Sequence, residues 1–517
     1  MPAAAPTLLA ATALAPADWM VVALYFGILV ITGILLSRRQ SGTEDYYLAG
    51  RRMPAWAVAI SVLATSLSAA TFIGGPQQAY AGNLTYLITT LGTVIGALVV
   101  AFCFLPAFYR HNVTTVYDLL AHRFGPGART AGSLAFMVGR LLASGARIYI
   151  AAHALAWILF HNLDAPGLMA AIWILTAAGI LYTIAGGIAT VIWTDVVQTV
   201  IFVAAVLAAF ILLLNAIDLP LADTINWLNT EGKLHLLDTS FDHAAPFTLW
   251  TALVAWTLFS VAAYGTDQDL VQRMLTCRTR ARASASMIAS TLIGVPVTLL
   301  FMTIGLLLFV RHNHPEIAAA AETAQHAPGV KVFLNYITTD MPAGLGGLMI
   351  AGLFAAGLSS LDSALNALSS TFVNDIYARL RPRRNPAHDL RIARIALVGW
   401  GVALGAVATA AIYWQRASGD SLINFALAVM TYAYAGLLAV FATALFTRRR
   451  GNTLTVIAAL LAGALAVLDT EPFLWKPLTG LEPLAFPWRF TLAAAIAFLT
   501  CIVGTSPSPD TPGPQDD

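Results

Sequence analysis

The sequence predicts an all-α polytopic membrane protein with about thirteen transmembrane helices, and three observations predict it. Of 517 residues, 58% are hydrophobic and only 10% charged, with a mean hydropathy of +0.75, whereas soluble domains are about a quarter charged. Apolar stretches of about 20 residues, enough to cross a hydrocarbon core of about 30 Å, recur along the chain. Two of these stretches are interrupted, and the four uninterrupted ones between them give the spacing of an inverted repeat built on discontinuous helices.

The elements follow in order. Residues 18–36 form a first span, closed by Arg38 and Arg39, and 54–80, an interrupted span, begins after Arg51 and Arg52. Span 84–109 leads into a loop holding Arg110, Arg123 and Arg129, and 130–160, 165–184 and 189–215 come next. Residues 249–272 are the second interrupted span; 284–310, 343–378, 390–414, 421–446, 452–468 and 485–503 complete the set. Alternate loops hold 20 of the 28 lysines and arginines, Arg273 counted among them. The bias places those loops in the cytoplasm, the N-terminus outside and the acidic C-terminus inside.

The remaining composition mostly excludes. A formal net charge of +2 gives no basis for nucleic-acid binding. Cys103, Cys277 and Cys501 lie far apart, with neither disulfide nor metal-ligand spacing. The N-terminus lacks the basic start of a signal peptide, so residues 1–17 read as an external tail and 504–517 as a cytoplasmic one. With no H-E-x-x-H and no G-x-S-x-G motif, an intramembrane enzyme is not expected.

Three stretches put polar chemistry at membrane depth. In "SVLATSLSAATFIGGPQQAY", residues 61–80, hydroxyl residues precede Gly74, Gly75 and Pro76, where the helix is expected to break. In "SVAAYGTDQDLVQR", residues 260–273, Gly265 and Thr266 run into Asp267 and Asp269. Unwound backbone in a membrane survives only inside protein or along a cavity, where its freed carbonyls are ready cation ligands; alternatively the glycines simply allow close helix packing. In "AGLFAAGLSSLDSALNALSS", residues 351–370, Ala356, Ser359, Ser360 and Ser363 share one helical face, bordered by Asp362. Hydroxyl and carbonyl oxygens suit a small hard cation, although buried serines also bond to their own helix or to a neighbour.

The chain resembles the sodium:solute symporter family. The motifs that carry the resemblance are "YYLAGR" at 46–51, "SVLATSLSAATFIG" at 61–74, "YTIAGGIATVIWTDVVQTVI" at 182–201, "TDQDLVQR" at 266–273 and "AGLFAAGLSSLDSALNALSSTFVNDIY" at 351–377, in family order. Within the family it is most similar to the branch of bacterial sialic acid symporters. The resemblance implies a LeuT-like inverted five-plus-five helix repeat with broken first and sixth core helices. The core would occupy 54–446, with one extra helix at 18–36 before it and two at 452–503 after it. It implies sodium-coupled import of a small organic solute by alternating access.

The resemblance also implies sites. A main sodium site would join carbonyls of Ala64 and Leu67 to Ala356, Ser359 and Ser360. A second would use Asp195, Ser359, Asp362 and Ser363, with Asp362 standing where such members usually carry Ser or Thr. That extra carboxylate either tightens a second sodium site or shares a proton with Asp195. One or two sodium ions are therefore expected. The solute would face Ser66, Ser68 and Thr71, with Tyr86, Ser260 and Tyr264 nearby. Ala70, Thr71 and Gly294 replace the polar contacts of the sugar symporters. Ala143 replaces an arginine that grips a carboxylate in the sialic acid branch, but Arg140 and Arg147 lie one turn to either side. A guanidinium fork suits a carboxylate, so a sialic acid, another sugar acid or a monocarboxylate is expected. The alternative pairs one arginine with a protein carboxylate such as Asp195, or has Arg140 snorkel to an interface. Two other functions stay open: a proton-coupled carrier of the same architecture, and a membrane solute sensor with a separate signalling partner. The oligomeric state is not legible.

Overall fold

The computed structural model describes residues 14–37, 43–184, 187–320, 330–381, 385–419 and 421–505. Most of the expected tails, 1–13 and 506–517, and Arg38, Arg39, Arg383 and Arg384 lie outside the described residues. The principal helices are α1 Pro16–Ser37, α2 Ala55–Ser66, α3 Ala69–Ala81, α4 Thr85–Arg110, α5 Pro126–Phe160, α6 Ala165–Thr183, α7 Ile188–Ala216, α8 Thr251–Thr266, α9 Gln268–Leu275, α10 Arg280–Asn313, α11 Leu345–Leu380, α12 Pro386–Ser418, α13 Leu422–Phe446, α14 Thr453–Asp469 and α15 Phe486–Ile502. Each expected stretch contains one of these helices or a broken pair. Eight are long and apolar enough to cross a membrane, and the pair α2 and α3, bent by 60°, makes a ninth. The shorter apolar helices α6, α8, α14 and α15 fill the other stretches.

The first break lies elsewhere than expected. Helix α3 runs unbroken through Gly74, Gly75 and Pro76, and the chain unwinds at Leu67 (φ −88°, ψ 107°) and Ser68 (φ −109°, ψ 178°). Ser68 fixes the restart by accepting a hydrogen bond from the Ala70 amide at 3.2 Å, an N-cap. Pro76 leaves a backbone acceptor without its helical donor, yet here the helix is retained. The glycines serve packing: a Cβ on Gly305 of α10 would stand 2.1 Å from the Pro76 carbonyl oxygen, so only glycine admits that approach.

The second break falls where the sequence places it. Asp267 adopts an extended conformation (φ −90°, ψ 117°) and caps α9 by accepting from the Asp269 amide at 2.9 Å. The entrance of α2 and the exit of α9 are tied together where the Met53 amide donates to the Thr276 carbonyl at 3.1 Å.

Helix α11 is the most enclosed of the long spans and packs along α7, with α2, α3, α5 and α9 also against it. The first helix is joined to it directly. Asp18, buried near the start of α1, accepts from the amides of Gly344 at 2.8 Å and Gly347 at 2.6 Å, capping the N-terminus of α11. Negative charge at a helix N-terminus is stabilising, and Gly347 lets the two backbones meet.

Candidate functional site

Side chains of α2, α7 and α9 converge on the polar stretch of α11. Asp195 projects from α7 and is buried; its Oδ1 accepts from Ser359 Oγ at 2.5 Å and its Oδ2 from Ser61 Oγ of α2, also at 2.5 Å. Arg273 of α9 reaches the same place. Its Nε donates to Ser61 Oγ at 2.9 Å, one terminal nitrogen donates to Asp195 Oδ2 at 3.2 Å and to Ser363 Oγ, and the other to Asp269 Oδ1 and the Asp269 carbonyl, both at 2.7 Å. The hydroxyl of Ser363 in turn donates to the Ser359 carbonyl.

The network continues into α5. Arg140 is paired with Asp267 and, at 3.2 Å, with Asp269 Oδ2. The Tyr434 hydroxyl of α13 donates to Asp267 Oδ2 at 2.5 Å. Asp195, Arg273, Asp269, Arg140 and Asp267 thus form one buried chain of alternating charge, because buried charges are tolerable only when paired and hydrogen-bonded. Asp362 adds a fourth buried carboxylate, and its Oδ2 meets no hydrogen-bond partner among the described residues.

Two sequence expectations change here. Arg273 is among the most deeply buried side chains and is part of this network, not of a cytoplasmic loop. Its i,i+4 spacing from Asp269 was the available signal. Arg140 takes the structural alternative, though its carboxylate partners are Asp267 and Asp269, not Asp195.

Arg147, two turns along α5 from Arg140, differs. Half-buried beside the first break, it reaches the Thr65 carbonyl at 3.3 Å and the Met430 sulfur at 3.7 Å, and it pairs with no carboxylate among the described residues. Tyr264 of α8 is buried nearby, and the Ser66 hydroxyl donates to the Leu63 carbonyl at 2.9 Å. Ser68 and Thr71 are buried at the start of α3. Ser260 turns to the Thr93 hydroxyl of α4 at 3.3 Å, and Tyr86 packs edge-on against Phe247 at 5.2 Å.

The proposed sodium ligands divide. Unwinding at Leu67 takes the helical donors away from the last carbonyls of α2, Ala64 among them, and α2 packs against α11. Ser360 Oγ makes only a long bond to the Ala356 carbonyl, 3.3 Å. These oxygens suit a sodium ion. The second set fits poorly: both Asp195 oxygens and the Ser363 hydroxyl are already engaged, three of those bonds involving or adjoining Arg273.

A sequence model described as the sodium:solute symporter family matches residues 46–463. A sodium/sialic acid symporter of Aliivibrio fischeri (strain ATCC 700601 / ES114) is 29% identical over 446 residues, covering 86% of this chain and 85% of that protein. The human sodium-coupled monocarboxylate transporter 1 is 28% identical over 425 residues, 82% of this chain and 67% of that one. Among solved structures, an outward-open, substrate-bound Na+-coupled sialic acid symporter superposes with a TM-score of 0.81 at 24% identity, covering 95% of this chain and 97% of the other. That likeness establishes the shared fold.

Proposed function

Because the chain belongs to the sodium:solute symporter family, we propose that it imports a small carboxylate-bearing solute, driven by sodium entering through the main site at Ala64, Leu67, Ala356, Ser359 and Ser360. The observation that carries the solute class is Arg147. Arg140 and Arg273 are neutralised by protein carboxylates, whereas Arg147 is bonded to neutral acceptors among the described residues. An intramembrane guanidinium without a counter-ion favours a site where one arrives. Ser66, Ser68, Thr71 and Tyr264 gather near it at the first break, and relatives whose names state sialic acid or monocarboxylates as solutes support the same class.

Sodium and solute would bind on either side of the Leu67–Ser68 break, so that each favours the conformation the other binds, a coupling free energy between sites. The engaged donors around Asp195 support one sodium per cycle, with Arg273 fixed where a second cation would lie. Thirteen crossings, an external N-terminus and a cytoplasmic C-terminus complete the reading, supported by the arginine bias of alternate loops.

The test is sodium-dependent uptake into proteoliposomes, with sialic acid, other sugar acids and monocarboxylates set against neutral sugars and amino acids. Uptake confined to carboxylates and lost in Arg147→Gln is expected; uptake of a neutral solute that Arg147→Gln leaves intact would overturn the assignment. Uptake driven by a pH gradient without sodium would instead favour the proton-coupled reading, whose residue is Asp362 with its unpartnered oxygen.

A further inference from the structure

On the arginine-rich side of the molecule, away from the two breaks, a cavity of about 1000 Å³ opens between the end of α4, the short helix Asp118–Phe124, the start of α10 and the end of α13. One part of its lining is cationic: Arg110, Arg123 and Arg280, with His111 and His122. Among the described residues, no acidic side chain lines it. Much of the remaining lining is apolar and includes Cys103, Leu119, Leu445 and Phe446. Phe446 is 61% exposed, and Phe102, one turn before Pro106 on α4, is 70% exposed, so the apolar wall continues onto the outer surface of two helices that read as spans.

The cations are arranged rather than scattered. Arg123 is held by the carbonyls of Thr447 at 3.4 Å and Arg450 at 3.2 Å and lies over the Phe124 ring at 5.1 Å. The rings of His111 and His122 stack with centroids 5.1 Å apart. Arg110 and Arg280 form no ion pair with any described residue. Arg280 and Arg282 occupy the first turn of α10, which has no acidic residue. Cations there oppose the helix dipole, and a bound anion relieves that repulsion.

We infer that this cavity binds an anionic phospholipid, with the headgroup phosphate among Arg110, Arg123 and Arg280 and an acyl chain along Leu445 and Phe446. A free phosphate would satisfy the cations and leave the apolar wall bare. A zwitterionic lipid brings a cation of its own beside Arg110 and Arg280, which have no ion pair among the described residues. An anionic lipid matches both walls, as basic pockets between helices at a membrane surface do.

The experiment measures the melting temperature of the full-length protein in neutral detergent with added phosphatidylglycerol, phosphatidylcholine or inorganic phosphate, alongside Arg110→Gln/Arg280→Gln. Both substituted residues are exposed, and the sodium-induced shift reports whether the variant is folded. Phosphatidylglycerol is expected to raise the melting temperature by a few degrees in the parent protein through preferential binding to the folded state, and the double variant to lose most of that shift while keeping its sodium response. An equal shift from phosphatidylcholine, the same shift from inorganic phosphate, or an undiminished phosphatidylglycerol shift in the double variant would each overturn the lipid assignment.

Discussion

Arg273 and Asp195 meet at 3.2 Å inside the helical core, although 78 residues separate them in the chain. Arg273 also engages Ser61, Ser363 and Asp269, so its removal leaves Asp195 without a cationic partner and Asp269 with Arg140 alone. Breaking a buried pair from one side typically costs about 3–5 kcal/mol. Arg273→Gln is therefore expected to lower thermal stability sharply, with Arg273→Lys in between, because an ammonium keeps the charge but loses the fork. Melting curves of the three proteins check this; an unchanged curve for Arg273→Gln would mean the network is not maintained in the membrane protein.

The proposed stoichiometry of one sodium ion has a direct test. With the donors at Asp195 and Ser363 already engaged, sodium activation of uptake is expected to be hyperbolic, with a Hill coefficient close to one. A coefficient approaching two would place a second ion among these residues despite Arg273.

Ser360→Ala removes one ligand of the proposed main site while leaving its helix intact, since the hydroxyl makes only a 3.3 Å bond to Ala356. Apparent sodium affinity should fall at least tenfold, about 1.4 kcal/mol, with little change in melting temperature when sodium is absent. A sodium titration followed by thermal shift measures both quantities together.

For Arg147→Gln, the expected loss is in solute affinity. A hydrogen bond to a charged partner contributes about 1.5–3 kcal/mol, so KM for the carboxylate solute should rise roughly tenfold to more than a hundredfold. The sodium-induced shift in melting temperature should persist, and its loss would indicate a structural role for Arg147 instead.

Gly305→Ala tests the packing that keeps α3 whole. The added Cβ would stand 2.1 Å from a backbone oxygen that cannot rotate away, and overpacking of this kind costs about 1–3 kcal/mol. Reduced thermal stability is the expected outcome, read from the melting curve without sodium.

The spans were legible because hydropathy is a property of short windows, and the second break because Asp267 and Asp269 interrupt one. Gly74, Gly75 and Pro76 are strong local signals for a break, whereas the close approach that this segment makes, Gly305 against the Pro76 carbonyl, comes from more than 200 residues away and is not encoded locally. Ser68, whose hydroxyl restarts the helix, was named only as a solute contact. Arg273 was assigned to a loop because its position at the end of an apolar stretch looks like a membrane boundary. Only the fold shows that α9 is a short buried helix carrying that side chain inward. The partners of Arg140 lie 127 and 129 residues along the chain, a relation that local spacing does not encode.

The carboxylate of Asp18 makes the first helix a handle on α11. Its two short bonds to Gly344 and Gly347, and a backbone contact too close for any side chain at Gly347, leave little slack between α1 and the start of α11. A fluorophore placed at Leu14 should therefore travel with the start of α11 and report its motion from outside the solute path. Asp18→Ala should sever that reporter from the motion while leaving the proposed sodium ligands where they are.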